Sequence, residues 1–243
     1  MNILICTIMR NSAKVLDRYM RQITDGMDRL KDRDINWYIS IYENDSTDGT
    51  KELLQALDFG RFKDHSITCE DIGTKHYASV VEEDRVRNLA MARNNALTAK
   101  DMFMDMDYVL WIEPDLFYAS ALIPGLVLHK ERGLPDLDIL SGINIASGES
   151  RAYDTWATRR TPDEEWGDRT EDWFDNPVAR FYTTFNGVCL YNAKPFREGV
   201  RFGHVNERLG KFDCDTVVVC ENFRKAGYDR IYVDQSLNCY HDR

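Results

Sequence analysis

The chain has 243 residues, 43% of them apolar and 30% charged, with a formal net charge of −10. This length suits one α/β domain or two tightly fused halves. The acidic balance excludes a nucleic-acid partner held by phosphate neutralisation, yet allows one nucleotide whose phosphates meet a metal and a few local arginines.

The longest apolar stretch, Ala119 to Leu128, is broken by Pro124 and Gly125 and is shorter than the ~20 residues a membrane helix needs, so no transmembrane segment is expected. The apolar start runs straight into Arg10 and does not read as a signal peptide, which predicts a cytoplasmic or peripherally attached protein. The six cysteines are scattered without a CxxC pair, so they read as reduced packing residues and not as a zinc site.

Met1 to Thr7 predicts a buried first strand. Val15, Tyr19, Ile23 and Met27, spaced by four, predict a helix over Lys14 to Leu30. Trp37 to Tyr42 is a second strand ending in the polar turn Glu43 to Thr50. Ser46, Thr47 and Asp48 there can cap a helix over Thr50 to Leu57. Ser66 to Glu70 suits a short strand and Asp84 to Lys100 a strong helix. Tyr108 to Ile112 is an apolar strand stopped by Glu113-Pro114-Asp115. Strands alternating with helices predict βαβ units and a mostly parallel sheet, with ligands at the carboxyl ends of its strands.

The second half is less regular. Asp138 to Ile145 predicts a strand. Ala146 to Asn176 lacks a clear period and is too long for an idle connection, so it reads as a binding loop. Phe185 to Tyr191 is a strand opened by Asn186-Gly187. Asp215 to Lys225 is a helix stopped by Gly227, and Ile231 to Val233 is a last strand. A single domain over 1–243 is expected, with a nucleotide-binding half, 1–118, and an acceptor-side half, 119–243.

Expulsion of a nucleoside diphosphate from a sugar carbon leaves negative charge that a hard divalent ion on carboxylates can stabilise. Glu113-x-Asp115, directly after a buried strand, can aim two carboxylates at such an ion, although the triplet also suits an ordinary acidic turn. Thr7 at the end of strand one and Arg10 and Asn11 just past it, with Glu43 and Asp45 past strand two, are candidates to hold a nucleoside. A capped turn and a solvated loop explain the same residues. Arg85 and Asn88 share a helix face suited to diphosphate oxygens, or to solvent; Arg87 and Arg93 lie on the same helix.

A neutral His241 can complete a metal site, or be structural. Asp213 and Asp215 open the late helix, where capping and a catalytic carboxylate are both adequate accounts. Glu149 and Glu221 are further carboxylate candidates. Trp156, with Asn186 and Gly187, falls to the acceptor side. Tyr153, Trp166, Trp173 and Phe174 complete an aromatic loop able to stack on sugars.

The stretches ENDSTDGT, RVRNLAMARNNAL, YVLWIEPDLFY, AYDTWATR, FNGVCLYNAKPF and CDTVVVCENFRKAGYDRIYVDQS fall in order from about Cys6 to Ser236. In them the chain resembles the α-1,3-mannosyltransferases associated with fungal capsule synthesis, a group with the GT-A type fold. The resemblance implies a Rossmann-like sheet flanked by helices, with an irregular acceptor-side half. It implies a D-x-D-like metal turn with Asp115 in its second acidic position and Glu113 in its first, as a ligand or beside the metal shell. It further implies Mn²⁺ or Mg²⁺ as cofactor, His241 in the metal shell, and Asp215 near sugar or acceptor. The implied donor is GDP-mannose, with a UDP-sugar as the alternative, and the implied reaction is transfer to a glycan acceptor with retention. Two rival readings are a nucleotidyltransferase, which needs a Gly-rich loop that Thr7 to Lys14 lacks, and a catalytically inactive glycan-binding module.

Overall fold

The structure, a computed structural model, describes residues 1–77, 79–134, 136–146, 152–166 and 177–241. Its first half runs β1 (Asn2–Met9), α1 (Ala13–Asp28), β2 (Asn36–Asn44), α2 (Thr50–Ala56), β3 (Asp64–Glu70), α3 (Glu83–Thr98), β4 (Tyr108–Ile112) and β5 (Leu116–Tyr118). There follow α4 (Leu122–Val127), β6 (Ile139–Ile145), β7 (Val178–Arg180), β8 (Val188–Asn192), α5 (Ala193–Arg197), β9 (Val205–Asn206), β10 (Lys211–Phe212), α6 (Asp215–Lys225) and β11 (Ile231–His241).

The main sheet has the order β3-β2-β1-β4-β8-β6-β11-β5, with β7 also on β11. From β3 to β4 the pairing is parallel, as the alternating pattern predicts. Thereafter it is mixed: β8 runs antiparallel to both β4 and β6, and β6 is parallel to β11.

Alternation along β1 builds two cores. Ile3 and Ile5 face α1, α2 and α4, whereas Leu4 and Cys6 face α3, α5 and α6. All six cysteines are free thiols, five of them buried. Two elements depart from the sequence expectation. Pro124 and Gly125 sit inside α4, where Leu122, Ile123 and Leu126 are buried against α1. A Pro within the first turn of a helix gives up no intrahelical hydrogen bond, so it is tolerated there. The last strand continues from Val233 to His241 through a register break between Val233 and Asn238. A Cβ on Gly142 of β6 would collide with the Leu237 carbonyl in that break, so glycine is what lets the strands close.

This extension positions the site. Beyond the break, β11 pairs with β5 so that His241 stands opposite Leu116, next to the turn that leaves β4. Among the described residues, no helix is long and apolar enough to cross a membrane.

Candidate active site

Two adjoining cavities lie over the carboxyl ends of β1, β2 and β4. The larger, about 450 Å³, is lined by Arg10, Asn11, Arg85, Asn88, Glu113 and Asp115 together with the 74–77 segment. The smaller, about 330 Å³, is lined by Asp154, Trp156, Trp166, Gly187, Thr216 and His241 among others. Arg85, Leu89, Glu113 and Asp115 border both, so the acidic turn is the threshold between them.

The first cavity is built by polar loops that fasten one another. Asp45, at φ 56°, accepts backbone N–H bonds from Gly73 at 2.8 Å and Thr74 at 2.9 Å. Burial pushes its carboxyl up, but hydrogen bonds from Thr74, Asn44 and the backbone outweigh this and hold it well below the usual range. Arg10 spans the gap to the same segment, donating to the Thr74 carbonyl at 2.7 Å and the Lys75 carbonyl at 3.2 Å. Asn11, also left-handed, accepts the Thr47 N–H at 2.8 Å. Asn88 donates to the Tyr77 hydroxyl and Arg85 to the Val80 carbonyl at 3.2 Å.

Not every residue singled out from sequence reaches this cavity. Thr7 is fully buried, its hydroxyl within the core beside Tyr19. Glu43 is fully buried and accepts the Ser46 N–H at 2.8 Å. With Asp45 it organises the cavity wall from behind. Arg87 turns outward to Glu83 and Asp84.

At the threshold, Asp115 Oδ2 lies 2.9 Å from His241 Nε2. One carboxylate and one imidazole suit Mn²⁺ or Mg²⁺, ions that complete their shells with phosphate oxygens and water. Asp115 is 44% exposed, which leaves its side open to such ligands. Among the described residues, no group of three or more His, Cys, Asp or Glu side chains gathers to hold a metal.

Glu113 turns the other way. Its Oε1 accepts Arg93 Nη1 at 2.6 Å and the Trp111 indole N–H at 3.1 Å. Burial pushes its carboxyl up and Arg93 opposes that. Arg93 Nε also donates to Asp215 Oδ2 at 2.6 Å. The guanidinium lies over the rings of Phe185 at 4.5 Å and Trp111 at 4.9 Å. Asp215 is thus buried behind Arg93, while its neighbours Cys214 and Thr216 line the second cavity. Asp213 is buried against Arg159, which donates to it at 2.9 Å and again through its second terminal nitrogen. Glu221 accepts from the Tyr182 hydroxyl at 2.7 Å.

The second cavity holds a carboxylate that sequence reasoning did not single out. Asp154 accepts the Asn186 N–H at 2.8 Å, and burial pushes its carboxyl up to about 6. Its only signal was its place in AYDTWATR. Arg93 read as one arginine on a helix face; its burial among aromatics requires the tertiary fold. Asn186 is itself buried, its side chain spent on Ser141 and Thr184, whereas Gly187 lines the cavity. Of the aromatic loop, Tyr153, Trp156 and Trp166 line the second cavity. Trp173, Phe174 and Glu149 lie outside the described residues.

The architecture is that of the GT-A glycosyltransferases. Similar solved structures include TarS of S. aureus, with 14% identity, a TM-score of 0.58 and coverage of 100% of this chain and 37% of that one. Another is the mannosyltransferase PcManGT from Pyrobaculum calidifontis, solved in complex with GDP-Man and Mn²⁺, with 14% identity, a TM-score of 0.58 and coverage of 99% and 56%. Glucosyl-3-phosphoglycerate synthase from Mycobacterium tuberculosis, in complex with Mg²⁺ and UDP, has 13% identity, a TM-score of 0.52 and coverage of 100% and 72%. The chain therefore spans less than two thirds of the length of TarS and of PcManGT. No curated sequence relative matches it. The profile of the family described as Cryptococcal mannosyltransferase 1 matches residues 2–221, and the chain belongs to that family.

Proposed function

We propose that the protein is a metal-dependent hexosyltransferase that carries mannose from GDP-mannose to a glycan acceptor with retention of configuration. The observation that carries this reading is the acidic turn shared by two cavities, with His241 against Asp115. The family's name and the GDP-Man complex of PcManGT favour GDP-mannose over a UDP-sugar. In this reading residues 1–118 and 119–243 act as one catalytic unit.

The nucleoside occupies the first cavity against Arg10 and Asn11, and the diphosphate lies toward Arg85 and Asn88. Asp115 and His241 would hold a divalent ion, which would supply charge neutralisation at the departing diphosphate. Glu113, fixed by Arg93 and Trp111, borders this place without turning its Oε1 to Asp115. The sugar enters the second cavity, between the threshold and Trp156. With the acceptor on the phosphate side, the bond from sugar carbon to phosphate oxygen breaks as that to the acceptor oxygen forms. The acceptor proton passes to the departing phosphate oxygen. Asp154 supplies negative charge to the sugar as positive charge develops on it. Asp215 keeps Arg93 and Glu113 in place from behind.

A thermal-shift panel of GDP, UDP and CDP with and without Mn²⁺, followed by NMR of the fresh product from an α-linked donor, tests this reading. GDP-selective, Mn²⁺-dependent stabilisation and an α-linked product are expected. A UDP preference overturns the donor, a β-linked product overturns retention, and sugar binding without turnover leaves the inactive binding module.

A further inference from the structure

A third cavity, about 150 Å³, opens beside the second. Trp156 and Trp166 line both, stacked with ring centroids 5.6 Å apart and planes at 21°. The stacked pair is therefore a wall that the two cavities share. On the far side the wall is completed by Val81, Leu209 and Phe212. Trp166 is 47% exposed, Val81 40% and Leu209 37%. Among the described residues, packing does not account for an indole this open to water, and apolar surface gathered at a cleft marks a binding face.

The polar groups sort into two sets. Deep in the cavity, Arg159 and Asp213 are buried and satisfy each other. At the rim, Lys211 pairs with Glu165, and both side chains are more than half exposed. The occupant thus meets flat aromatic and apolar walls with one cationic and one anionic group at the edge. A pyranose matches that pattern, since its C–H face covers an indole while its hydroxyls can both donate and accept. A hydrocarbon tail would strip water from Lys211 and Glu165 without replacing those hydrogen bonds. The nucleotide is excluded by position, because its cavity lies across Glu113 and Asp115.

We infer that this third cavity is a second acceptor subsite, which seats the pyranose one residue beyond the sugar that receives the transferred unit. The inference rests on the reading that the second cavity is where a sugar is transferred. It makes the acceptor a glycan of at least two residues.

The test compares α-mannose, α-mannobiose and α-mannotriose as acceptors, and titrates mannotriose by calorimetry without donor. One stacking contact corresponds to a gain of roughly 3–10-fold in kcat/KM for the longer acceptors over mannose. Trp166→Ala should bring that ratio close to one and weaken mannotriose binding equally, whereas Trp166→Phe should keep most of both. An unchanged ratio in Trp166→Ala, or octyl α-mannoside matching mannotriose, overturns the subsite while leaving transfer intact. If no acceptor is glycosylated, calorimetry still decides: mannotriose binding tighter than mannose binding by a margin that Trp166→Ala removes supports the subsite, and equal binding of the two to the wild type, or no binding, overturns it.

Discussion

Asp154 in the second cavity accepts a 2.8 Å hydrogen bond from the backbone N–H of Asn186, a buried residue held at φ 58°. A left-handed non-glycine residue is costly unless its surroundings fix it. Here they do, because the Asn186 amide donates to Ser141 and Thr184, each at 3.1 Å, and its oxygen accepts the Asn144 N–H. The strained residue thus presents its N–H to a carboxyl that burial penalises.

That penalty gives the first prediction. With its pKa raised to about 6, Asp154 favours the folded state most when protonated, and this contribution is lost as pH rises from about 4 through 6. Asp154→Asn keeps an acceptor for the Asn186 N–H and removes the ionisation. It should raise Tm at pH 8 by about 2–8 °C, for a gain of roughly 1–2 kcal/mol, and change little near pH 4. Transfer should fall at least tenfold at pH 8, where the wild-type carboxylate is charged, and by much less near pH 4, where it is protonated. Equal Tm shifts at both pH values would show that ionisation is not what the substitution relieves.

Arg93 should be far less tolerant. It is the shared counter-ion of Glu113 and Asp215, both at 2.6 Å, and its side chain is 6% exposed. Arg93→Met preserves most of the apolar contact with Phe185 and Trp111 but leaves two carboxylates without their cation. Removing one member of a buried ion pair costs about 3–5 kcal/mol. Chemical denaturation should show that loss at pH 7. It should shrink in the triple variant with Glu113→Gln and Asp215→Asn, which removes the stranded charges.

These two residues mark where the sequence stops being informative. β1, β2, β4, α1 and α3 were legible because uninterrupted apolar runs and fourfold spacing are local signals. Glu113, Asp115 and Gly227 were legible from their places at strand and helix ends. The tail of β11 was not, since Asp234 to His241 alternates with polar residues across a register break that depends on Gly142. Helix α4 was hidden by Pro124 and Gly125. The 73–77 wall has no periodicity, and Asp45 sets it in place from 28 residues away. Asp154 acquires its environment only when Asn186 arrives from the entry to β8.

Removing either proposed metal ligand should uncouple activity from the ion. Asp115→Ala alters an open site and should cost under about 1 kcal/mol in stability, whereas His241→Ala, which removes a ring 24% exposed and packed on that of Tyr153 at 4.6 Å, should cost about 1–2 kcal/mol. Both should lose more than a hundredfold in Mn²⁺-stimulated transfer, and the Mn²⁺-dependent thermal shift with GDP should vanish. A retained shift in Asp115→Ala would remove that carboxylate from the metal shell. Glu113→Gln separates the remaining question, because a normal metal shift in that variant assigns Glu113 to Arg93 alone.

Gly187 should be as critical as any charged residue in the site. Its φ of 70° is left-handed, and a Cβ there would lie 2.9 Å from the Leu116 side chain. Its carbonyl accepts the Glu113 N–H at 2.8 Å, so the same residue fixes the first position of the acidic turn. Leu116 is the next residue after Asp115 and the register partner of His241. A methyl group at position 187 therefore pushes on the strand that sets the distance between the two proposed ligands. Gly187→Ala should destabilise the fold by about 1–3 kcal/mol through backbone strain and crowding. Transfer should fall further than that loss explains, with a weaker apparent affinity for Mn²⁺. Gly187→Ala combined with Leu116→Ala relieves the contact but not the strained φ. Recovery of Mn²⁺ affinity in the double variant, with stability still reduced, would assign the metal defect to the Leu116 contact. No recovery would assign it to the backbone.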